Sequence, residues 1–497
     1  MRGALMIQGT CSGAGKSLLT AALCRVLSDM GVNVAPYKSQ NMALNSFITA
    51  EGAEIGRAQA LQAEAARLAP HADMNPVLLK ATADAACQVI VDGRVRANMS
   101  AREYYDYRDE AWAAARGAYD RLAARHDVIV IEGAGSPAEI NLREEEIVNM
   151  RVARYAGAPV LLVGDIDRGG VFASFAGTVQ ILGPEEASLI KGYIINKFRG
   201  DLGILRPGLG QIRDLTGIPV MGVLPYVRSL GLDEEDGLAS MRFAPRGGGR
   251  ALRVVAVMLR YISNFTDLSP LMFEPDVELV FSTSPTEIMN ADLLIIPGSK
   301  NTANDLNALR EMGLDRAIIE AAGRGVPTVG LCGGYQMLGQ RILDPDGVEG
   351  PEPEVRGLGL LEIETVMDAV KVTSQSAGRV TGGFGAYTGR VEGYEIHMGR
   401  STGETGLFEL ERRATGERVP DGSRRGNVWG TYLHGVFDHD AFRASVLDPI
   451  RAAKGLPVPD APLQYQAMRE EHMNRWAATV REHLDMDAVL GLIGGNK

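Results

Sequence analysis

A short apolar run, Ala4 to Gln8, breaks into Gly9-Thr10-Cys11-Ser12-Gly13-Ala14-Gly15-Lys16-Ser17 and continues into an amphipathic stretch with apolar residues at Leu18, Leu19, Ala22 and Leu23. Strand, glycine-rich turn and helix in that order commit the start of the chain to a parallel α/β sheet, because the turn brings the strand end and the helix N-terminus to one point. The same rhythm then repeats. Val32 to Pro36, Val128 to Glu132, Val160 to Asp165, Tyr193 to Asn196 and Val220 to Leu224 read as further strands separated by helical stretches. Continuous Val/Ile/Leu runs of this kind belong in a sheet covered on both faces.

Beyond Pro225 come an acidic, glycine-bearing stretch from Leu232 to Ser240 and then Pro245-Arg246-Gly247-Gly248-Gly249, a linker by composition. The α/β rhythm restarts after it. Arg253 to Met258, Val277 to Ser282, Leu293 to Ile296 and Val326 to Leu331 read as strands, and Leu306 to Gly323 as one helix. Leu358 to Tyr432 is richer in β pattern, and helical pattern runs from Ala441 onward. A chain of 497 residues holds two or three domains at roughly 150 residues each. The predicted divisions are residues 1–232, a linker at 233–250, residues 251–445 and a helical segment at 446–497.

The first turn has the chemistry of a phosphate cradle. Gly13 and Gly15 let backbone N–H groups converge on phosphate oxygens, and the helix N-terminus adds favourable partial charge. Lys16 is expected to bridge the β- and γ-phosphates of ATP, and Ser17 to ligate Mg²⁺. Counted from Gly9, the spacing is one residue longer than in the usual P-loop. Glu132 ends a buried strand, and strand C-termini line the ligand crevice in such sheets. It is a candidate Mg²⁺ partner, directly or through water, with a solvated loop glutamate as the alternative. Asn196 ends another strand and either reads the adenine edge or caps its own turn. Asp165 and Asp167 precede Arg168, a candidate for an anionic substrate. Lys38, Ser39, Gln40 and Asn41 open a cluster of amides and hydroxyls that suits a substrate bearing carboxylates and amides. Lys38 can stabilise charge on a transferring phosphoryl group, while a turn with a helix cap accounts for the same residue types.

A second constellation lies in the other half. Gly330-Leu331-Cys332-Gly333-Gly334 follows a strand and opens a helix, a G-x-C-x-G form of the nucleophile elbow. Small neighbours let such a turn present Cys332 at a helix head, where a thiolate is stabilised. The N–H of Gly333 is one oxyanion donor, and Gly298 in Pro297-Gly298-Ser299-Lys300-Asn301-Thr302 is the candidate for the second. A thiol nucleophile needs a base. His434, at a predicted strand end in Thr431-Tyr432-Leu433-His434-Gly435, is the leading candidate over His397 and His439.

Composition narrows the class further. Lys+Arg 51 against Asp+Glu 62 gives a net charge of −11, so a global nucleic-acid footprint is not expected. No apolar run is long enough to span a bilayer, and no signal core precedes the first strand. Four cysteines without C-x-x-C or zinc spacing fit a reduced, cytoplasmic setting. The oligomeric state is left open.

Lys38-Ser39-Gln40-Asn41-Met42-Ala43-Leu44-Asn45-Ser46, Pro297 to Thr302, Leu331-Cys332-Gly333-Gly334 and Tyr432-Leu433-His434-Gly435 together resemble the cobyric acid synthase family of cobalamin-pathway glutamine amidotransferases, over nearly the whole chain. Gly9 to Ser17 and Glu132 to Gly135 also resemble dethiobiotin synthetase. The resemblance implies an N-terminal P-loop, parallel-sheet ATPase-like domain and a C-terminal class I-type glutamine amidotransferase α/β domain. It implies ATP and Mg²⁺, glutamine as nitrogen donor, and a corrinoid whose b, d, e and g carboxylates become amides through acyl phosphates. Common triad amidotransferases carry a glutamate two residues after the histidine, where this chain has Val436. The cobalamin-pathway members share that lack, which leaves a Cys332–His434 dyad with Asp438 nearby. Three other readings stand beside this one. They are cobyrinic acid a,c-diamide synthase, a non-catalytic corrinoid-binding module, and a MinD-like regulatory ATPase switch. Against the switch, Cys11 occupies the position of its signature lysine.

Overall fold

A computed structural model describes residues 2–83, 86–141, 146–227, 230–232, 242–243, 251–385 and 387–495. Apart from Arg242 and Phe243, the predicted linker 233–250 lies outside the described residues. Strands β1 (Gly3–Gly9), β2 (Val34–Tyr37), β3 (Val128–Glu132), β4 (Val160–Asp165), β5 (Ile190–Phe198) and β6 (Val220–Pro225) form one parallel sheet in the order β2-β3-β1-β4-β5-β6. Leu5, Ile7, Val130, Ile131 and Leu162 are fully buried, as strands with helices on both faces require. The strand carrying the glycine-rich turn sits inside the sheet, where strand order reverses, and there the C-terminal edge opens a crevice.

Between β2 and β3 the chain makes an excursion that the sequence pattern did not reveal. Val77–Ala83, Ala86–Val91 and Arg94–Ser100 form an antiparallel sheet, joined in parallel by Gln40–Met42. Its outer strand is largely exposed and carries no apolar run, which is why composition gave no sign of it.

In the second unit, β7 (Leu252–Val257), β8 (Val277–Ser282), β9 (Leu293–Ile296) and β10 (Thr328–Leu331) precede a long antiparallel pair, β11 (Ile363–Val380) and β12 (Arg390–Gly403), and then β13 (Val428–Thr431). The parallel core runs β8-β7-β9-β10-β13, with short antiparallel strands Arg242–Phe243 and Ser423–Arg425 at its edges. The single helix expected over Leu306 to Gly323 is two, Thr302–Glu311 and Leu314–Gly323. Gly313, at φ 69°, takes a left-handed turn between them that breaks the helical hydrogen-bond ladder.

The tail does more than close the chain. Helix Asp440–Lys454 is held to the second unit by fully buried Arg443 and Arg451, both paired with Glu274 at 2.7 Å. Helix Tyr465–His483 then crosses back to pack on helix Lys16–Asp29. Trp476 Nε1 donates to Leu18 O at 2.8 Å, and Met473, Trp476 and Val480 join Leu19, Leu23 and Leu27 in one apolar cluster. One face of the N-terminal sheet is therefore covered by residues from the far end of the sequence. Among the described residues no helix is long and apolar enough to cross a membrane.

Candidate active sites

The crevice above β1 is a cleft of about 440 Å³ lined by Gly13, Lys16, Ser17, Lys38, Asn41 and Glu132, among others. Gly13 (φ 72°) and Gly15 (φ 97°) take left-handed backbone. A Cβ on Gly15 would lie 2.2 Å from Asn196 Nδ2, so the loop closes only with glycine there. Helix Lys16–Asp29 has no side-chain cap, and its first N–H groups face the cleft mouth as a ready anion site. Lys16 Nζ arches across that mouth, bonding Cys11 O at 3.0 Å and Gly135 O at 3.1 Å.

Glu132 forms the floor. Its Oε1 accepts from Ser17 Oγ at 2.8 Å and Lys38 Nζ at 2.9 Å, and its Oε2 accepts from Gln62 Nε2 at 2.6 Å. Burial opposes the charge, yet Lys38, Gln62 and Ser17 together hold this carboxyl below the usual range. Ser17 and Glu132 thus present hard oxygen donors side by side, the set Mg²⁺ takes together with phosphate oxygens and water. Among the described residues there is no group of three or more His, Cys, Asp or Glu that could hold a metal.

Of the residues expected from the sequence, Ser39 and Arg168 lie outside the cleft lining, while Asn196 and Gln40 line it with their side-chain amides engaged by the protein. Ser39 is fully buried with Oγ donating to Ile147 O at 2.6 Å, so it braces the fold and does not line the cleft. Arg168 stays outside the lining, 3.6 Å from Asp165 with its side chain 68 % exposed. Asn196 lies in the cleft, but its amide donates to Ala14 O at 2.9 Å and accepts from Lys197 N, which braces the cradle. Gln40 lines the cleft with its carbonyl engaged by the Tyr104 hydroxyl. The sequence reading missed Gln62 and Lys197. Lys197 has φ 61° and reaches Gly13 O at 2.7 Å and Asp165 Oδ2 at 3.0 Å.

At the C-terminal end of β10, Cys332 has φ 50° and ψ −107°, a left-handed conformation rare outside glycine. The turn fits because its neighbours lack side chains: a Cβ on Gly334 would lie 2.0 Å from Ile296 O. Gly333 packs against Ser299, and Gly298 against the His434 ring, so both oxyanion candidates border the elbow. Cys332 Sγ lies 3.5 Å from Ile396 O. His434 is buried, and its Nε2 has no hydrogen-bond partner among the described residues, while the ring borders the same cavity as Cys332.

The carboxylate on His434 Nδ1 is Asp267 and not the nearby Asp438 of the sequence reading. Asp267 Oδ2 is 2.6 Å from Nδ1, and its Oδ1 accepts from Gly435 N at 2.9 Å. Burial pulls the imidazole pKa down, but Asp267 foremost and then Cys332 outweigh it and raise it to about 10. The only sequence signal for Asp267 is its position just past β7, at the same C-terminal sheet edge as the elbow. His397 stacks on Tyr432 with ring centres 3.8 Å apart and bonds Gly399 O, a wall of the site and not its base.

The two sites are stitched together. Ser46 N donates to Asn264 Oδ1 at 3.0 Å, Phe265 N to Asn45 Oδ1 at 3.1 Å, and Tyr394, stacked on His434, donates its hydroxyl to Ser46 O at 3.1 Å. The segment that begins at Lys38 on the cleft floor thereby ends against the turn that carries Asp267. A cavity of about 40 Å³ in front of Cys332 takes walls from both units, with Lys80 from the first and Lys300, Glu349 and Lys371 from the second.

The comparisons with known proteins agree with this geometry. Residues 5–240 match the sequence model of a CobQ/CobB/MinD/ParA nucleotide binding domain, and residues 253–442 that of a CobB/CobQ-like glutamine amidotransferase domain. Curated cobyric acid synthases are similar over nearly their full length. The one from Thermodesulfovibrio yellowstonii is 45% identical across 99% of both chains. That from Desulfitobacterium hafniense is 47% identical over 99% of this chain and 98% of its own, and that from Sorangium cellulosum 48% identical over 98% of each. A nucleotide-binding fold joined to a glutamine amidotransferase domain defines a glutamine-dependent ligase, which sets aside the switch and binding-module readings. Within that class, the chain belongs to the cobyric acid synthase family.

Proposed function

We propose that the protein makes cobyric acid by amidating the b, d, e and g side-chain carboxylates of adenosylcobyrinic acid a,c-diamide, with ATP as activator and glutamine as nitrogen donor. What carries the reading is one chain holding two complementary devices: a thiol facing a carboxylate-held imidazole, and a phosphate cradle whose floor is a buried Lys38–Glu132 pair. Cys332 attacks the glutamine γ-carboxamide carbon, and the Gly298 and Gly333 N–H groups receive the developing oxyanion. The proton on His434 passes to the departing nitrogen, and Asp267 keeps the ring oriented. The resulting thioester is cleared by water, for which His434 is the base.

In the other site a corrinoid carboxylate, a poor electrophile, gains a leaving group by taking the γ-phosphoryl of ATP. Lys16 and the loop N–H groups hold the phosphates, and Lys38 stabilises charge on the moving phosphoryl group. Ser17 and Glu132 are the residues that would hold Mg²⁺, which neutralises phosphate charge when bound. Lys38, Gln40 and Asn41 face the substrate carboxylate, while Asn196 positions the loop. Free ammonia is mostly protonated at neutral pH, so a shielded route between the sites serves the chemistry. Incubating the diamide with ATP, Mg²⁺ and glutamine and weighing the product tests this. Stepwise losses of about one dalton each, one for each of b, d, e and g, are expected for carboxylate-to-amide exchange. A product that stops at two fewer groups, or none, contradicts it.

A further inference from the structure

Three lysines line the cavity in front of Cys332, and they are not equivalent. Lys80 Nζ bonds Glu54 Oε1 at 2.9 Å, and Lys371 Nζ bonds Glu54 Oε2 at 2.6 Å and Gln88 Oε1 at 3.0 Å. Both ammonium groups are engaged inside the protein, although they share the one Glu54 carboxylate. Lys300 is different. Among the described residues no hydrogen bond or ion pair engages its ammonium, although it lies half-buried in the same cavity as the nucleophile. The opposite charge that acts on it most is Glu349, and the two do not approach to ion-pair distance. Burial accordingly lowers the lysine pKa and raises that of the glutamate, as expected of opposite charges left apart in a poorly solvated wall.

The backbone at both positions is anchored, and at Glu349 the carboxylate is too. Lys300 N donates to Tyr261 O at 2.9 Å, directly after the Gly298-Ser299 turn. Glu349 N donates to Asp344 Oδ2 at 2.8 Å, and Glu349 Oε2 accepts from Thr302 N at 2.8 Å. A cation and an anion, separated and lining one cavity, complement a molecule that carries an anion and a cation on one carbon.

We infer that Lys300 binds the α-carboxylate, and Glu349 the α-ammonium, of the glutamine whose side-chain amide lies at Cys332. The assignment rests on the glutaminase reading of Cys332 and adds to it how the free amino acid is chosen over other primary amides. The unmatched charges are then a substrate-shaped gap that glutamine completes, and a donor lacking one charge leaves a buried partner exposed to the full penalty of its burial.

Hydrolysis by the full chain of glutamine, 4-aminobutanamide (no α-carboxylate) and 4-carbamoylbutanoate (no α-amino group) tests this without any mutation. The wild type is expected to lose at least about 100-fold in kcat/KM on each shortened donor. Lys300→Met is expected to lower kcat/KM for glutamine by a similar factor, mainly through KM, and to erase the preference for glutamine over 4-aminobutanamide. Lys300→Arg should restore most of that preference, and Glu349→Gln should erase the preference over 4-carbamoylbutanoate. A wild type that takes 4-aminobutanamide as readily as glutamine overturns the inference, as does a Lys300→Met chain slowed equally on both donors. A wild type that hydrolyses no donor overturns the glutaminase reading itself and the inference with it.

Discussion

Asp267 Oδ2 lies 2.6 Å from His434 Nδ1, although the two residues are 167 positions apart in sequence. The carboxylate comes from the turn after β7, the first strand of the second sheet, and the histidine from near the end of the amidotransferase region. It supplies the orienting group that Val436 cannot, from a different part of the chain. Asp267→Asn is expected to lower glutamine-driven turnover by at least about 100-fold, the span of a misoriented general base. Product formation from added ammonia should survive, and comparing the two donors in one assay checks it.

The same pair sets a pH dependence of stability. His434 is raised in the folded state to about 10 from an ordinary 6.5, so its contribution is fully present below pH 6.5 and is lost as pH rises through about 10. Thermal melts of wild type and Asp267→Asn should therefore differ most on the acid side of that window. The gap should shrink as the pH approaches 10; a gap that widens there contradicts the sign.

Lys38 and Glu132 are both buried, and each is the other's charge partner. Lys38→Met leaves Glu132 in the interior without its cation, which costs about 3–5 kcal/mol. Urea unfolding should register that loss. ATP-dependent amidation should disappear with ammonia as donor as well as with glutamine, which separates this variant from those at the elbow.

Trp476 stands for the crossing tail. Trp476→Ala removes a buried ring and its hydrogen bond to Leu18 O, and is expected to destabilise by about 3–5 kcal/mol. Because the ring packs on the helix that follows the phosphate cradle, nucleotide affinity measured by calorimetry should fall as well.

Both glycine-rich turns and the strands that feed them were legible in the sequence, because each depends on local rules. Val128–Glu132 and Val277–Ser282 have the bounds that their apolar runs predict. The cysteine elbow and the cradle needed only neighbours within a few positions. What was not legible depends on distant segments meeting. Asp267 sits in no motif, and Gln62 lies on a helix whose other residues look like ordinary packing. Ser39 shows the converse: it belongs to the most distinctive polar cluster, yet its hydroxyl serves Ile147 and not a substrate. A cluster's composition tells that it is polar, while only the fold tells which members face the cleft. The tail helix was predicted, but its packing on the opposite end of the chain was not, since amphipathic pattern marks a buried face without naming its partner.

The central claim is that nitrogen released at Cys332 reaches an acid activated in the nucleotide cleft of the same molecule. Supplying glutamine labelled with ¹⁵N in its side-chain amide, against an excess of unlabelled ammonium at neutral pH, tests it most directly by mass spectrometry of the product. The account predicts ¹⁵N in every new amide for the wild type and unlabelled amides only for Cys332→Ala. Amides formed by the wild type that take their nitrogen from the ammonium pool would contradict it.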